Sequence, residues 1–143
     1  MIGIVVAIVA LLTATVIGVV WRSRNGVLRT KDGQDQASDS ARLTAADLGG
    51  PLGEQATMVQ FSSAFCAPCR ATRRILDEVA QMADGVRYVD IDAESRLDLV
   101  RRLGIVRTPT VLIVDTHGRI VRRGSGQPRK ADVIAALGVA IPS

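Results

Sequence analysis

Aromatic and metal-binding side chains are scarce in this 143-residue chain. One Trp, one Tyr and two Phe make up 3% of it, too few to build a platform on which nucleobases stack. The two cysteines, Cys66 and Cys69, would need further ligands to close a zinc site, and the one histidine, His117, lies far downstream in a turn-like segment that reads as surface. A c-type haem attachment requires His directly after the second cysteine, and Arg70 stands there. Metal and cofactor are therefore expected to be none. Charge is absent from residues 1–20, so that segment is not a solvated arm. The formal net charge of +4 and pI of about 9.8 do not make a nucleic-acid binder either. Much of the excess sits in Arg22, Arg24, Arg29 and Lys31, and the remaining bases interleave with acids.

The uncharged segment is present for a reason. Ile4 to Leu12 is a continuous apolar run that carries on through Val16-Ile17 and Val19-Val20 to Trp21, long enough as a helix to cross about 30 Å of hydrocarbon. It has no basic n-region and no Ala-x-Ala site before the charges, which favours a retained transmembrane anchor over a cleaved leader. Trp21 is placed at the lipid interface and the four bases beside anionic headgroups. The positive-inside rule then puts the rest of the chain on the cytoplasmic face of the cell membrane, as a single-pass protein. The opposite orientation would place the thiols in an oxidising space and change their work. The expected division is an anchor over 1–21 in contact with membrane lipid, a polar juxtamembrane tether over 22–42, and a folded domain over 43–143.

Within the domain, Thr44-Ala45-Ala46-Asp47 is a capping box for a short helix, stopped by Gly49-Gly50-Pro51. Ala56 to Phe61 reads as a buried strand and 62–65 as the loop that follows it. Beyond Cys69, the apolar positions Ala71, Ile75, Val79 and Met82 recur at helical spacing, with Arg73/Asp77 and Arg74/Glu78 as solvent-face pairs. A strand over Val86 to Ile91 and a helix marked by Leu97, Val100 and Leu103 follow. Val111 to Val114, a turn at Asp115-Thr116-His117-Gly118 and a returning edge strand over Arg119 to Arg122 form a hairpin. A last helix runs from Ala131 through Val133, Ile134 and Leu137, stopped by Gly138. No internal repeat is present. Alternating strands and helices followed by a hairpin predict an α/β domain, a mixed sheet covered by helices on both faces.

Cys66-Ala67-Pro68-Cys69 falls between the first strand of the domain and its first long helix. Two intervening residues let one helical turn bring the sulfurs within bonding distance. Unpaired N–H groups at the helix N-terminus stabilise a thiolate over a thiol at Cys66, which makes it the nucleophile. Cys69, one turn in, is shielded and resolves the mixed disulfide, while Pro68 rigidifies the turn. An inert disulfide closing so small a loop would add little stability. Disulfide exchange is the leading reading.

The chain resembles the thioredoxin superfamily over roughly Leu43 to Leu137, and specifically its membrane-anchored bacterial members. The resemblance rests on Cys66-Ala67-Pro68-Cys69, on Thr108-Pro109-Thr110 directly before an apolar strand, and on Gly124 near the family's substrate-groove glycine. It implies a thioredoxin-like sheet and a protein-disulfide oxidoreductase working through a redox-active Cys66/Cys69 pair. It also implies a cis bond before Pro109 that packs against the dithiol, and a Thr108 backbone that pairs with an extended client. Arg70, where the family often carries Lys, is the remaining supporting residue. The implied partners are client protein disulfides and a thioredoxin reductase or another electron donor, with no nucleic acid. Gln60 stands where thioredoxins bury an Asp, and Tyr88 stands near the position of the Lys that pairs with it. Phe65 and Ser62 replace two tryptophans. These departures point to a specialised, tethered relative. Two alternatives stay open: a docking or regulatory module with non-catalytic thiols, and an extracytoplasmic client-specific redox protein.

Overall fold

The computed structural model describes residues 2–24, 29–30 and 42–141. Its elements run α1 (Ile2–Arg24), β1 (Arg29–Thr30), α2 (Ala45–Leu48), β2 (Ala56–Ser62), α3 (Ala67–Met82), β3 (Val86–Asp92), α4 (Leu97–Leu103), β4 (Thr110–Val114), β5 (Ile120–Ser125) and α5 (Lys130–Ala140). The apolar stretch of α1, Ile2–Trp21, is 20 residues with no part of it buried. That length corresponds to about 30 Å at 1.5 Å per residue, enough to cross a bilayer. Its two hydroxyls are satisfied inside the helix. Thr13 Oγ1 donates to the Val9 carbonyl at 2.9 Å and Thr15 Oγ1 to that of Leu11 at 2.7 Å, which removes the cost of an unpaired donor in hydrocarbon.

The five strands form one sheet in the order β1-β5-β4-β2-β3. β2 and β3 are parallel, joined across α3, whereas β4 is antiparallel to both β2 and β5. All seven residues of β2 are buried because the strand is central and covered on both faces. Alternation then divides the core. Val59, Phe61, Ile91, Leu112 and Val114 pack with Leu43, Leu48, Leu99 and Leu103 on one side. Ala56, Met58, Val111 and Ile113 pack with Leu76, Val79, Val133 and Leu137 on the other. The mixed sheet with helices on both faces is the architecture expected.

Capping fixes the minor elements. Thr44 and Asp47 form the expected capping box on α2, and Gly49 ends it in the left-handed region at φ 66°. Asp47 also receives the Arg102 guanidinium at 2.7 Å, while Arg96 donates to the Asp47 carbonyl at 3.0 Å, so α2 is tied to α4. Burial works to raise the Asp47 pKa, but hydrogen bonds from the Thr44 backbone and from Arg102 hold it below the ordinary carboxylate value. The β4–β5 turn closes on Asp115, whose carboxylate accepts from the backbone N–H groups of His117 and Arg119, each at 2.9 Å. Gly118 has φ 80° and a Cβ there would lie 2.2 Å from the Leu43 carbonyl oxygen, so only glycine fits.

Several expectations are corrected. The buried face of α3 is Cys69, Thr72, Leu76 and Val79, with Ile75 half-buried and Met82 exposed. Arg73 pairs with Asp90 rather than Asp77, and Glu78 with Lys130 rather than Arg74. In α4 the buried residues are Leu99 and Leu103, while Leu97 is exposed. Gly138 does not stop α5, which continues to Ala140, and Ile134 faces solvent. β5 reaches Ser125, so Gly124 lies inside the strand opposite Val111. It is also not the edge, because β1, two residues within the span read as tether, pairs with Arg122 and Arg123.

Candidate functional site

One end of the sheet collects the cysteines and the proline. It comprises the C-terminus of β2, the N-terminus of α3, the segment entering β4 and the C-terminus of β5, held together because β2 and β4 are antiparallel with Phe61 opposite Thr110. Cys66 is the N-cap of α3, with extended backbone at φ −99° and ψ 97°. The Cys69 N–H donates to Cys66 Sγ at 3.2 Å, the contact a capping side-chain acceptor makes with the free N–H groups of a first turn. The two cysteines are joined in a disulfide with their Cα atoms 5.2 Å apart. Pro68, the second residue of α3, sacrifices no helical hydrogen bond there, and its carbonyl accepts from Thr72 Oγ1 at 2.9 Å.

The two sulfurs are not equivalent. Cys69 is 2% exposed, whereas Cys66 is half-buried and its neighbours Phe65, Ala67 and Arg70 are exposed. An incoming sulfur therefore meets Cys66 first.

Below Cys69 lies a polar chain that departs from an ionisable arrangement. Gln60, fully buried, donates through Nε2 to the Cys69 carbonyl at 3.0 Å and accepts through Oε1 from the Tyr88 hydroxyl at 2.9 Å. Burial raises the Tyr88 pKa, the negative charge of Asp90 adds to the shift, and Arg73 opposes it. The phenol thus stays a donor at any working pH. Asp90 in turn accepts from Arg73 and, at 2.6 Å, from Ser62 Oγ. Gln60 and Tyr88, the two residues at which the resemblance departs from a buried Asp and its Lys, form a pair in direct contact. The register carries the signal: Tyr88 stands opposite Met58 in the parallel pair β2–β3, two residues from Gln60 and on the same face.

The Thr108–Pro109 peptide bond is cis. Thr108 Oγ1 lies 2.9 Å from Ser63 Oγ, which ties this segment to the loop leading to Cys66. The Pro109 carbonyl accepts from Gly126 N–H at 2.8 Å, and no described residue hydrogen-bonds to the backbone N–H or C=O of Thr108. Cys66, Cys69, Pro68, Thr108 and Pro109 are thus brought to one end of the sheet. Arg70 is exposed on α3 and takes no part in the polar chain; His117 sits at the opposite end, in the β4–β5 turn. Ser63 and Gly126 carry no pattern in one dimension, and only the fold brings them to this segment.

A family model described as Thioredoxin matches residues 51–138. The thioredoxin of Bacillus subtilis is 25% identical over 92 residues, 63% of this chain and 88% of that protein. That of Alicyclobacillus acidocaldarius is 31% identical over 86 residues, 59% of this chain and 81% of its own length. Among solved structures, chloroplastic thioredoxin z superposes with a TM-score of 0.53 at 28% identity, covering 59% of this chain and 77% of that one.

Proposed function

From the premise that the chain belongs to the thioredoxin family, we propose that it is a membrane-anchored protein-disulfide reductase in which Cys66 attacks and Cys69 resolves. Thiol–disulfide oxidoreduction is the activity of the fold and the cysteine pair together. In the reduced protein the Cys66 thiolate displaces one sulfur of a client disulfide, forming a mixed disulfide and releasing a client thiolate. Cys69, once deprotonated, then attacks Cys66 Sγ, which closes the intrachain disulfide and releases the second client thiolate. Two electrons pass to the client, and a thioredoxin reductase or another donor restores the dithiol.

The observation that carries this reading is the asymmetry of the pair. The more accessible sulfur is also the one that receives the Cys69 N–H at the start of α3, where N–H groups and the helix dipole favour negative charge. The shielded sulfur sits where only an already attached client brings the chain to need it. The Thr108 backbone, without a described partner, supports a role in pairing with an extended client segment. Gln60 cannot titrate, so the proton of Cys69 leaves to solvent rather than to an internal base.

The anchor reading rests on the exposed apolar face of α1, which in water would be an unstable patch. The basic residues that follow it favour the cytoplasmic face.

Insulin reduction by the full chain in detergent, with dithiothreitol as donor, tests the assignment. Cys66→Ser is expected to fall to the uncatalysed rate. Reduced Cys69→Ser, freed of dithiothreitol before insulin is added, is expected to accumulate a client adduct that runs as a mixed disulfide on a non-reducing gel. A wild type no faster than Cys66→Ser would instead favour a docking module with idle thiols.

A further inference from the structure

The anchor and the dithiol enter the domain at the same end. β1 is antiparallel to β5, with Arg29 opposite Arg123 and Thr30 opposite Arg122. Since β5 runs toward Ser125, β1 begins at the Ser125 end of the sheet. Ser125 is paired with Thr110, and Gly126 N–H reaches the Pro109 carbonyl at 2.8 Å. That end therefore carries the cis proline and, across β4 and β2, Cys66. The other end carries the β4–β5 turn, Gly118 and the C-terminus of α3 at Met82.

The connection is short. α1 ends at Arg24 and β1 begins at Arg29, and five Cα steps span at most about 18 Å. From β1 to β2 is three strand spacings, about 14 Å. The dithiol end is thus the end of the sheet at which the strand that follows the anchor begins. The same end exposes two large apolar side chains beside the exposed Arg70 and Arg107: Phe65, next to Cys66, is 101% exposed and Val106, two residues before Thr108, is 88% exposed.

Building on the proposed reductase activity, we propose that the clients are themselves membrane-held: the dithiol faces the bilayer and reduces disulfides carried by membrane proteins close to the lipid surface. The exchange is the one written above, with the client disulfide as oxidant and the Cys66/Cys69 dithiol as two-electron donor.

Two measurements on the full chain in phosphatidylcholine–phosphatidylglycerol vesicles test this. In a Trp21→Phe background, single tryptophans at Val106 and at Met82 are compared for quenching by a headgroup spin-labelled lipid. Stronger quenching at 106 is expected, and equal or stronger quenching at 82 overturns the proposal. The second measurement uses one disulfide peptide, lipid-anchored through either a short or a long rigid polyproline spacer, at equal surface density. The short-spacer peptide is expected to be reduced at least several-fold faster, and a flexible Gly/Ser insertion of some thirty residues before Arg29 is expected to erase the preference. The unanchored peptide in solution reports the basal reaction. If it is not reduced, the reductase reading itself fails; if it is reduced and the spacer makes no difference, the reductase stands and the membrane-held client does not.

Discussion

Gln60 joins the Cys69 carbonyl to the Tyr88 hydroxyl from a fully buried position on β2. Truncating it removes the acceptor of the half-buried Tyr88 hydroxyl and the side-chain donor to the Cys69 carbonyl, which keeps its place in the hydrogen-bond ladder of α3. Gln60→Ala should therefore destabilise the oxidised protein by about 1–3 kcal/mol, the cost of one polar group losing its partner. Urea denaturation of the full chain in detergent measures it, and a loss below about 0.5 kcal/mol would show that water replaces the amide without cost. Residues of this kind were half legible in the sequence. Gln60 was marked by its departure from the family's buried Asp, and the cysteines by their spacing together with the strand before them, the helix after them and Thr108-Pro109-Thr110. The partner does not announce itself, because Tyr88 meets Gln60 through strand register, 28 residues away. For the same reason Arg73 looked like a mate for Asp77 on its own helix, whereas tertiary packing gives it Asp90.

At the scale of elements, α2 is only four residues long, too short to stand without its caps and its clamp to α4. Asp47 supplies both, since it accepts from the Thr44 N–H at 2.8 Å and pairs with Arg102. Its pKa is lowered in the folded state although burial alone would raise it. A carboxyl with a depressed folded pKa contributes stability that is fully present above its unfolded value and is lost as pH falls through the folded one. Stability should therefore decline below about pH 4, with Asp115, lowered by hydrogen bonds from Arg119 and His117 against its own burial, acting in the same direction. Asp47→Asn should cost about 1 kcal/mol near neutral pH and flatten that acid decline. Denaturation midpoints at pH 7 and pH 3 check both, and an unchanged acid slope in the variant would remove Asp47 from the account. Element boundaries were legible where a cap or turn residue marks them, as at Thr44, Gly49 and Gly118. They failed where burial overrides propensity. Gly138 lies on the exposed side of α5, where its helical cost of about 1 kcal/mol is offset by burial of Leu137 and Ala140 on either side. The face of α3 was displaced because Thr72, polar by type, is buried by packing.

The molecule as a whole is an apolar helix followed by a domain whose sheet edge begins five positions beyond that helix. The alternation of strands and helices made the domain legible, because each element's apolar period states which layer it joins. The two-residue β1 was not legible, since Arg29 and Thr30 carry no period and their pairing is decided by the free edge of β5. Orientation across the membrane belongs to this scale too. The proposed cytoplasmic placement rests on Arg22, Arg24, Arg29 and Lys31 within the first ten or so positions after Trp21, where basic residues resist translocation most strongly. Changing all four to Gln should remove that bias and send a substantial share of the chains the other way. A fusion after Ser143 to a reporter active only outside the cytoplasm should be silent on the native chain and gain activity in the variant. A native fusion already active would reverse the orientation, place Cys66 and Cys69 in an oxidising space, and turn the search for the electron donor toward the membrane itself. The proposed approach of the dithiol end to lipid is independent of that outcome, because it is argued from the direction of β1 against β5 rather than from which side the domain occupies.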